Sequence, residues 1–99
     1  MNQTVKTNST TIRTEWREDD GISYKYELIM RESSRVASYG MPLYSISVEM
    51  KNSDGKITTA NTSDVFADPG KAIVFFEKIV KSLATPIDLP YVVEDELSR

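Results

Sequence analysis

The period of the apolar pattern changes once along this chain, and that change limits the possible folds more than any other feature. From Ile22 to Met30, and again from Tyr44 to Met50, apolar and polar residues alternate. This is the two-residue repeat of a strand with one buried face. From Ala72 onward the repeat lengthens to that of a helix: Ala72, Phe76, Ile79, Val80 and Leu83 fall on one face, flanked by Ile73 and Phe75. The switch lies between Thr62 and Asp68. Strands grouped ahead of helices, rather than interleaved with them, predict an α+β domain. The expected architecture is an antiparallel four-stranded meander sheet, packed on one face by a C-terminal helix plus a short second helix.

Two similar turns punctuate the strand half. Glu18-Asp19-Asp20-Gly21 and Asn52-Ser53-Asp54-Gly55 each end a polar four in Asp-Gly, which suits a type I turn with Gly in the left-handed position. Ile12, Thr14 and Trp16 alternate before the first turn; Tyr24, Tyr26 and Leu28 alternate after it. The third strand sets Tyr44, Ile46, Val48 and Met50 against Ser45, Ser47, Glu49 and Lys51. A fourth, from Lys56 to about Asn61, is polar enough for an edge. Residues 1–11 are Thr-, Asn- and Ser-rich and read as a flexible N-terminal segment, leaving 12–99 as one domain. The connection 32–42 is either a loop or a strand start broken by Gly40 and Pro42.

Asp68 is placed to cap the first helix, with Pro69 at its first position, where a missing N–H costs nothing. The helix is expected over 69–84, stopped by Pro86. Its polar face carries Lys71, Glu77, Lys78 and Lys81, with Glu77 and Lys81 spaced for an ion pair. Val74 interrupts that face and marks a candidate contact. Asp88 is the expected cap of the second helix, with Ile87 and Val92 spaced as a hydrophobic staple and Leu89, Val93 and Leu97 forming its apolar stripe.

The chain contains neither histidine nor cysteine. The commonest general base, the commonest metal ligand and all thiolate chemistry are therefore missing, and the reading leans against an enzyme. Ser33-Ser34-Arg35 has no base beside it to activate a serine. The acidic clusters Asp19-Asp20 and Glu94-Asp95-Glu96 sit on a turn and an exposed helix end, without the burial an acid/base pair needs. No catalytic residue, metal site or cofactor is assigned. The net charge is −3 with scattered basic residues, which gives no footprint for nucleic acid. No apolar run reaches membrane-spanning length, so the expectation is a soluble, cytoplasmic protein.

Tyr24, Tyr26 and Tyr44 are expected to line the core by their strand alternation. Trp16, Tyr39 and Tyr91 lie beside loops or helix starts, and with Val74 they are the candidate binding residues. From Tyr39-Gly40 onward the chain resembles a family of small uncharacterised proteins, a domain of unknown function found in Firmicutes. The resemblance rests on Tyr39-Gly40, on Phe75-Phe76-Glu77-Lys78-Ile79-Val80, and most of all on the segment Thr85-Pro86-Ile87-Asp88-Leu89-Pro90-Tyr91-Val92-Val93-Glu94-Asp95. It implies a bacterial cytoplasmic origin and a fold, but no activity. Two functions remain open. One is a non-catalytic protein-interaction or regulatory module, with a protein partner or a second copy as in a homodimer. The other is a small-ligand-binding domain with a Tyr-lined pocket between sheet and helix.

Overall fold

The computed structural model describes residues 9–32 and 42–98, apart from the side chains of residues 63 and 64. Among the described residues, four antiparallel strands, β1 (Ser9–Asp19), β2 (Ile22–Glu32), β3 (Pro42–Lys51) and β4 (Ile57–Phe66), follow one another in space as in sequence. Helices α1 (Pro69–Lys81) and α2 (Leu89–Leu97) cover one face. The α+β meander expected from the sequence is the observed fold.

The strands begin or end elsewhere than expected. Ser9–Thr11, assigned above to a flexible segment, pair with Arg31, Met30 and Ile29 as the first rungs of β1. β4 continues to Phe66, which pairs with Tyr44 beyond an irregularity in the ladder. The polar Thr and Asn residues there keep the edge compatible with water. Residues 33–41, including Tyr39 and most of the connection 32–42, lie outside the described residues.

The two Asp-Gly turns differ. Asp19 pairs with Ile22, so Asp20 and Gly21 alone make the first turn, both at positive φ (53° and 80°). That is the two-residue type I′ turn, whose twist matches the flanking strands, rather than the type I turn expected. At the second, Gly55 N–H donates to the Asn52 carbonyl, and Gly55 alone takes the left-handed conformation, at φ 85°. Asn52 Oδ1 also accepts from the N–H groups of Asp54 and Lys56, so this turn has the form the sequence predicts.

β2 and β3 supply the floor of the core through Tyr24, Tyr26, Leu28, Tyr44, Ile46 and Val48, all buried. α1 lowers Ala72, Phe75, Phe76, Ile79 and Val80 onto them, as the helical phase predicts. Burial of side chains such as Phe76 and Ile79 contributes about 1.5–3 kcal/mol each. Asp68 caps α1 by accepting from the N–H groups of Gly70 and Lys71. α1 ends at Lys81, three residues short of the expected 84, because Leu83 turns to φ 54°. Leu83 N–H donates to Val80 and Ala84 N–H to Ile79, which closes the helix with the paired bonds of a Schellman motif. A leucine at that left-handed position is strained by about 1–2 kcal/mol. Its half-buried side chain packs against the core, and the Ala84 carbonyl beside it accepts the Tyr26 hydroxyl at 2.9 Å, so tertiary contacts hold the turn.

The start of α2 also differs from expectation. Asp88 is itself helical and caps nothing beyond it. Thr85 is the cap: its Oγ1 accepts from Asp88 N–H at 3.2 Å, and Asp88 Oδ2 accepts from Thr85 N–H at 3.2 Å. This reciprocal pair is a capping box, with Pro86 at the first helical position. The staple positions then pass from Ile87 and Val92 to Ala84 and Leu89, both buried, while Ile87 is 71% exposed. Pro90 has no N–H for the Pro86 carbonyl, which explains why regular helix is reached only at Leu89. Leu89 and Val93 are buried as expected, but Leu97 is 57% exposed and leaves the stripe.

Candidate functional site

Two grooves flank α1. On the β1 side, Arg13, Glu15 and Arg17 stand opposite Leu28, Tyr26 and Tyr24 of β2, so they share the face covered by the helices. The row containing Thr14 and Trp16 faces away, with Ile12 at the bulge between them and the start of the strand. The charged row of the strand therefore points toward the helix layer and the apolar row away from it. Charges are too costly to bury under a helix, and α1 leaves them open in a groove of about 530 Å³ that Glu77, Val80, Lys81 and Leu83 complete.

Arg13 organises that groove. Its guanidinium bonds Glu77 at 2.9 Å and Glu15 at 3.0 Å, and lies 5.4 Å from the centre of the Phe76 ring. The bonds to Glu77 and then Glu15 raise the Arg13 pKa above its ordinary value, and the bond from Arg13 is the main reason the Glu15 carboxyl titrates lower than usual. Arg17 also reaches Glu15, at 3.3 Å. Glu77 thus pairs across to β1, where the sequence pointed to Lys81 within the helix. The missed signal is the period-two alternation of opposite charges, Arg13-x-Glu15-x-Arg17, which places all three on one strand face.

On the other flank, α2 returns beside α1. Lys78 and Glu96 join the helices at 3.4 Å, and Phe66 meets Phe75 with ring centres 5.3 Å apart. Between the helices, Phe66, Gly70, Lys71, Val74, Glu96 and Leu97 line a second groove of about 470 Å³. Val74 is 66% exposed, opposite the buried stripe of α1. Tyr91 is 71% exposed on α2, away from Leu89 and Val93.

The sequence candidates are therefore not gathered into one site. Val74 and Tyr91 share the outer helix layer. Trp16 lies on the sheet face away from α1 and α2, 62% exposed, with Lys25 Nζ 5.2 Å from its ring centre. Tyr39 falls outside the described residues. Leu97 and Ile87, which the sequence placed in a stripe and a staple, join Val74 and Tyr91 among the exposed apolar side chains.

Tyr24, Tyr26 and Tyr44 are buried in the core between sheet and helices. The Tyr24 and Tyr26 rings stack at 6.1 Å, and burial pushes the Tyr26 phenol up to about 12. Among the described residues, no buried side-chain N or O lacks a hydrogen-bond partner and no cluster of three or more metal-ligating acids forms. No helix among the described residues is long and apolar enough to cross a membrane.

Among known proteins, the model of a family of unknown function, DUF6514, matches residues 5–99. No curated protein and no solved structure matches the chain.

Proposed function

The chain belongs to this family of unknown function, and from that premise we propose that it is a small, non-catalytic protein-interaction or regulatory module of the bacterial cytoplasm. The observation that carries the reading is the helix layer. Val74, Ile87, Tyr91 and Leu97 each expose more than half their surface there, and Val74 and Leu97 wall a groove floored by Phe66. Scattered single apolar residues are ordinary on protein surfaces; several on one pair of helices, with a tyrosine among them, suit a contact surface. Val74 and Tyr91 are its binding residues. Trp16, on the sheet face away from the helices, belongs to a separate contact. The absence of histidine and cysteine from the sequence supports a role without turnover.

The source is a Firmicutes bacterium, and the Thr85–Asp95 segment is the family's distinguishing motif. Its chemistry supports that role: Thr85, Pro86 and Asp88 build the capping box that starts α2 and sets Tyr91 outward.

The test is capture from a lysate of such a bacterium, combined with light scattering, for the wild-type chain and for Val74→Glu/Tyr91→Ser. Wild type should retain a partner, or self-associate, and the variant should lose it while keeping its melting temperature. A wild-type chain that stays monomeric and retains nothing the variant does not would end the proposal.

A further inference from the structure

We infer that the occupant of the helix-layer surface is a second copy of this chain, docked about a two-fold axis running along the helices. The inference rests on the interaction reading above and adds the partner. Its ground is the division of charge between the helices. The solvent side of α1 presents Lys71, Lys78 and Lys81, whereas that of α2 presents Glu94 and Asp95. Glu77, the acid of α1, is turned away to Arg13 on the β1 flank. One helix thus offers a basic outer face and its neighbour an acidic one, with apolar side chains between them.

An axis parallel to a pair of side-by-side helices, lying in the contact plane, carries each helix onto the other. The α1 of one copy then lies over the α2 of its partner, and every basic–acidic contact occurs twice. Such an interface is self-complementary, as two-fold association requires. The alternative axis, across the helices, would stack α1 on α1 and α2 on α2, and like charges would oppose it. The apolar part of the contact comes from Val74 and Leu97 beside the groove and from Tyr91, whose ring is an acceptable neighbour for a lysine of the opposing α1. The complementarity depends on the sign of the charges on each helix and persists with the Lys78–Glu96 pair intact.

Charge exchange tests this directly. Lys71→Glu/Lys81→Glu makes the outer face of α1 acidic and spares Lys78; Glu94→Lys/Asp95→Lys makes that of α2 basic. Sedimentation of the wild type should show a dimer that weakens as salt is raised. Each double variant alone should dimerise roughly 100-fold more weakly, since four attractive contacts per dimer become repulsive. An equimolar mixture of the two variants should recover most of that loss as a heterodimer, because both of its α1–α2 contacts are again basic against acidic. Circular dichroism establishes that each variant is folded. A wild type that remains monomeric up to millimolar concentration overturns the inference. So does a dimer that neither double variant weakens, or a mixture no tighter than its components. In those cases the broader interaction reading survives if a lysate protein is captured and lost on Val74→Glu/Tyr91→Ser.

Discussion

The two flanks of α1 are held by different physics. Toward β4 and α2, contact is made mainly by burial: Phe75 meets Phe66 of β4 and Leu89 of α2 is fully buried, with the Lys78–Glu96 pair left at the surface. Toward β1, contact is made by half-exposed charge, with Arg13 spanning from the strand to Glu77 over the Phe76 ring. No side chain of β1 is buried. Among the described residues, the edge strand is joined to the fold by its ladder to β2 and by Arg13, whereas α2 shares in the core. Burial is non-directional and insensitive to salt; exposed ion pairs contribute little and are screened. The α2 flank should therefore carry the stability, and the β1 flank should open first.

Substitutions can break that contrast, beginning with the residue common to both sides. Phe76→Ala should cost about 3–5 kcal/mol in a urea or thermal melt, since it empties the centre of the core and removes the surface under Arg13. Leu89→Ala should cost about 2–5 kcal/mol and leave that cost unchanged in 1 M salt. A salt-dependent loss at Leu89 would mean that α2 is held by its charges instead.

Tyr26→Phe leaves the Ala84 carbonyl without its donor and should cost about 1–3 kcal/mol. The same residue sets an alkaline limit. Its pKa is raised from 10.0 to about 12, so the fold favours the neutral phenol. That contribution is intact below pH 10.0 and is lost as the pH rises toward about 12. Between pH 8 and 11 (roughly the span over which the linkage begins to act) the wild type should lose more stability than Tyr26→Phe. Parallel losses would show that Tyr26 does not titrate against the fold.

Smaller effects separate the flanks further. Arg13→Ala should cost about 1 kcal/mol or less, shrink in 1 M salt, and speed amide exchange in β1 while leaving α2 protected. Faster exchange in α2 as well would unite two regions that are separated here. Val74→Ala should shift stability by no more than about 0.5 kcal/mol. A loss comparable to that of Phe76→Ala would place Val74 in the core and reverse the helical phase.

Most of the fold was legible because each central element repeats one signal many times. The alternation through Tyr24, Tyr26 and Leu28, and the spacing of Ala72, Phe76 and Ile79, each assign a buried face by several residues in agreement. The errors fall where one or two residues must decide. Asp20-Gly21 and Asp54-Gly55 are alike in sequence, and strand register decides which becomes the two-residue turn. Asp88 resembles a cap until Thr85 is seen to bond it from three residues upstream. Nothing local tells Leu83 to adopt positive φ; the packing beneath it does. Of the binding candidates, Val74 was visible as an apolar break in a polar face, while Leu97 and Ile87 followed the apolar rhythm and looked buried.

From residue order alone came one change of period, the buried faces of β2, β3 and α1, and the lack of imidazole and thiol groups. These depend on side-chain chemistry and on spacing along a single element, and both are written in the chain. Tertiary structure alone decided which row of β1 looks toward the helices, where α1 stops, and that Arg13 meets Glu77 across the sheet edge. It also set a basic helix beside an acidic one with Val74, Tyr91 and Leu97 outward. Those outcomes depend on register and on contacts between distant residues, where each local preference is worth about as much as its alternative and the packed core makes the choice.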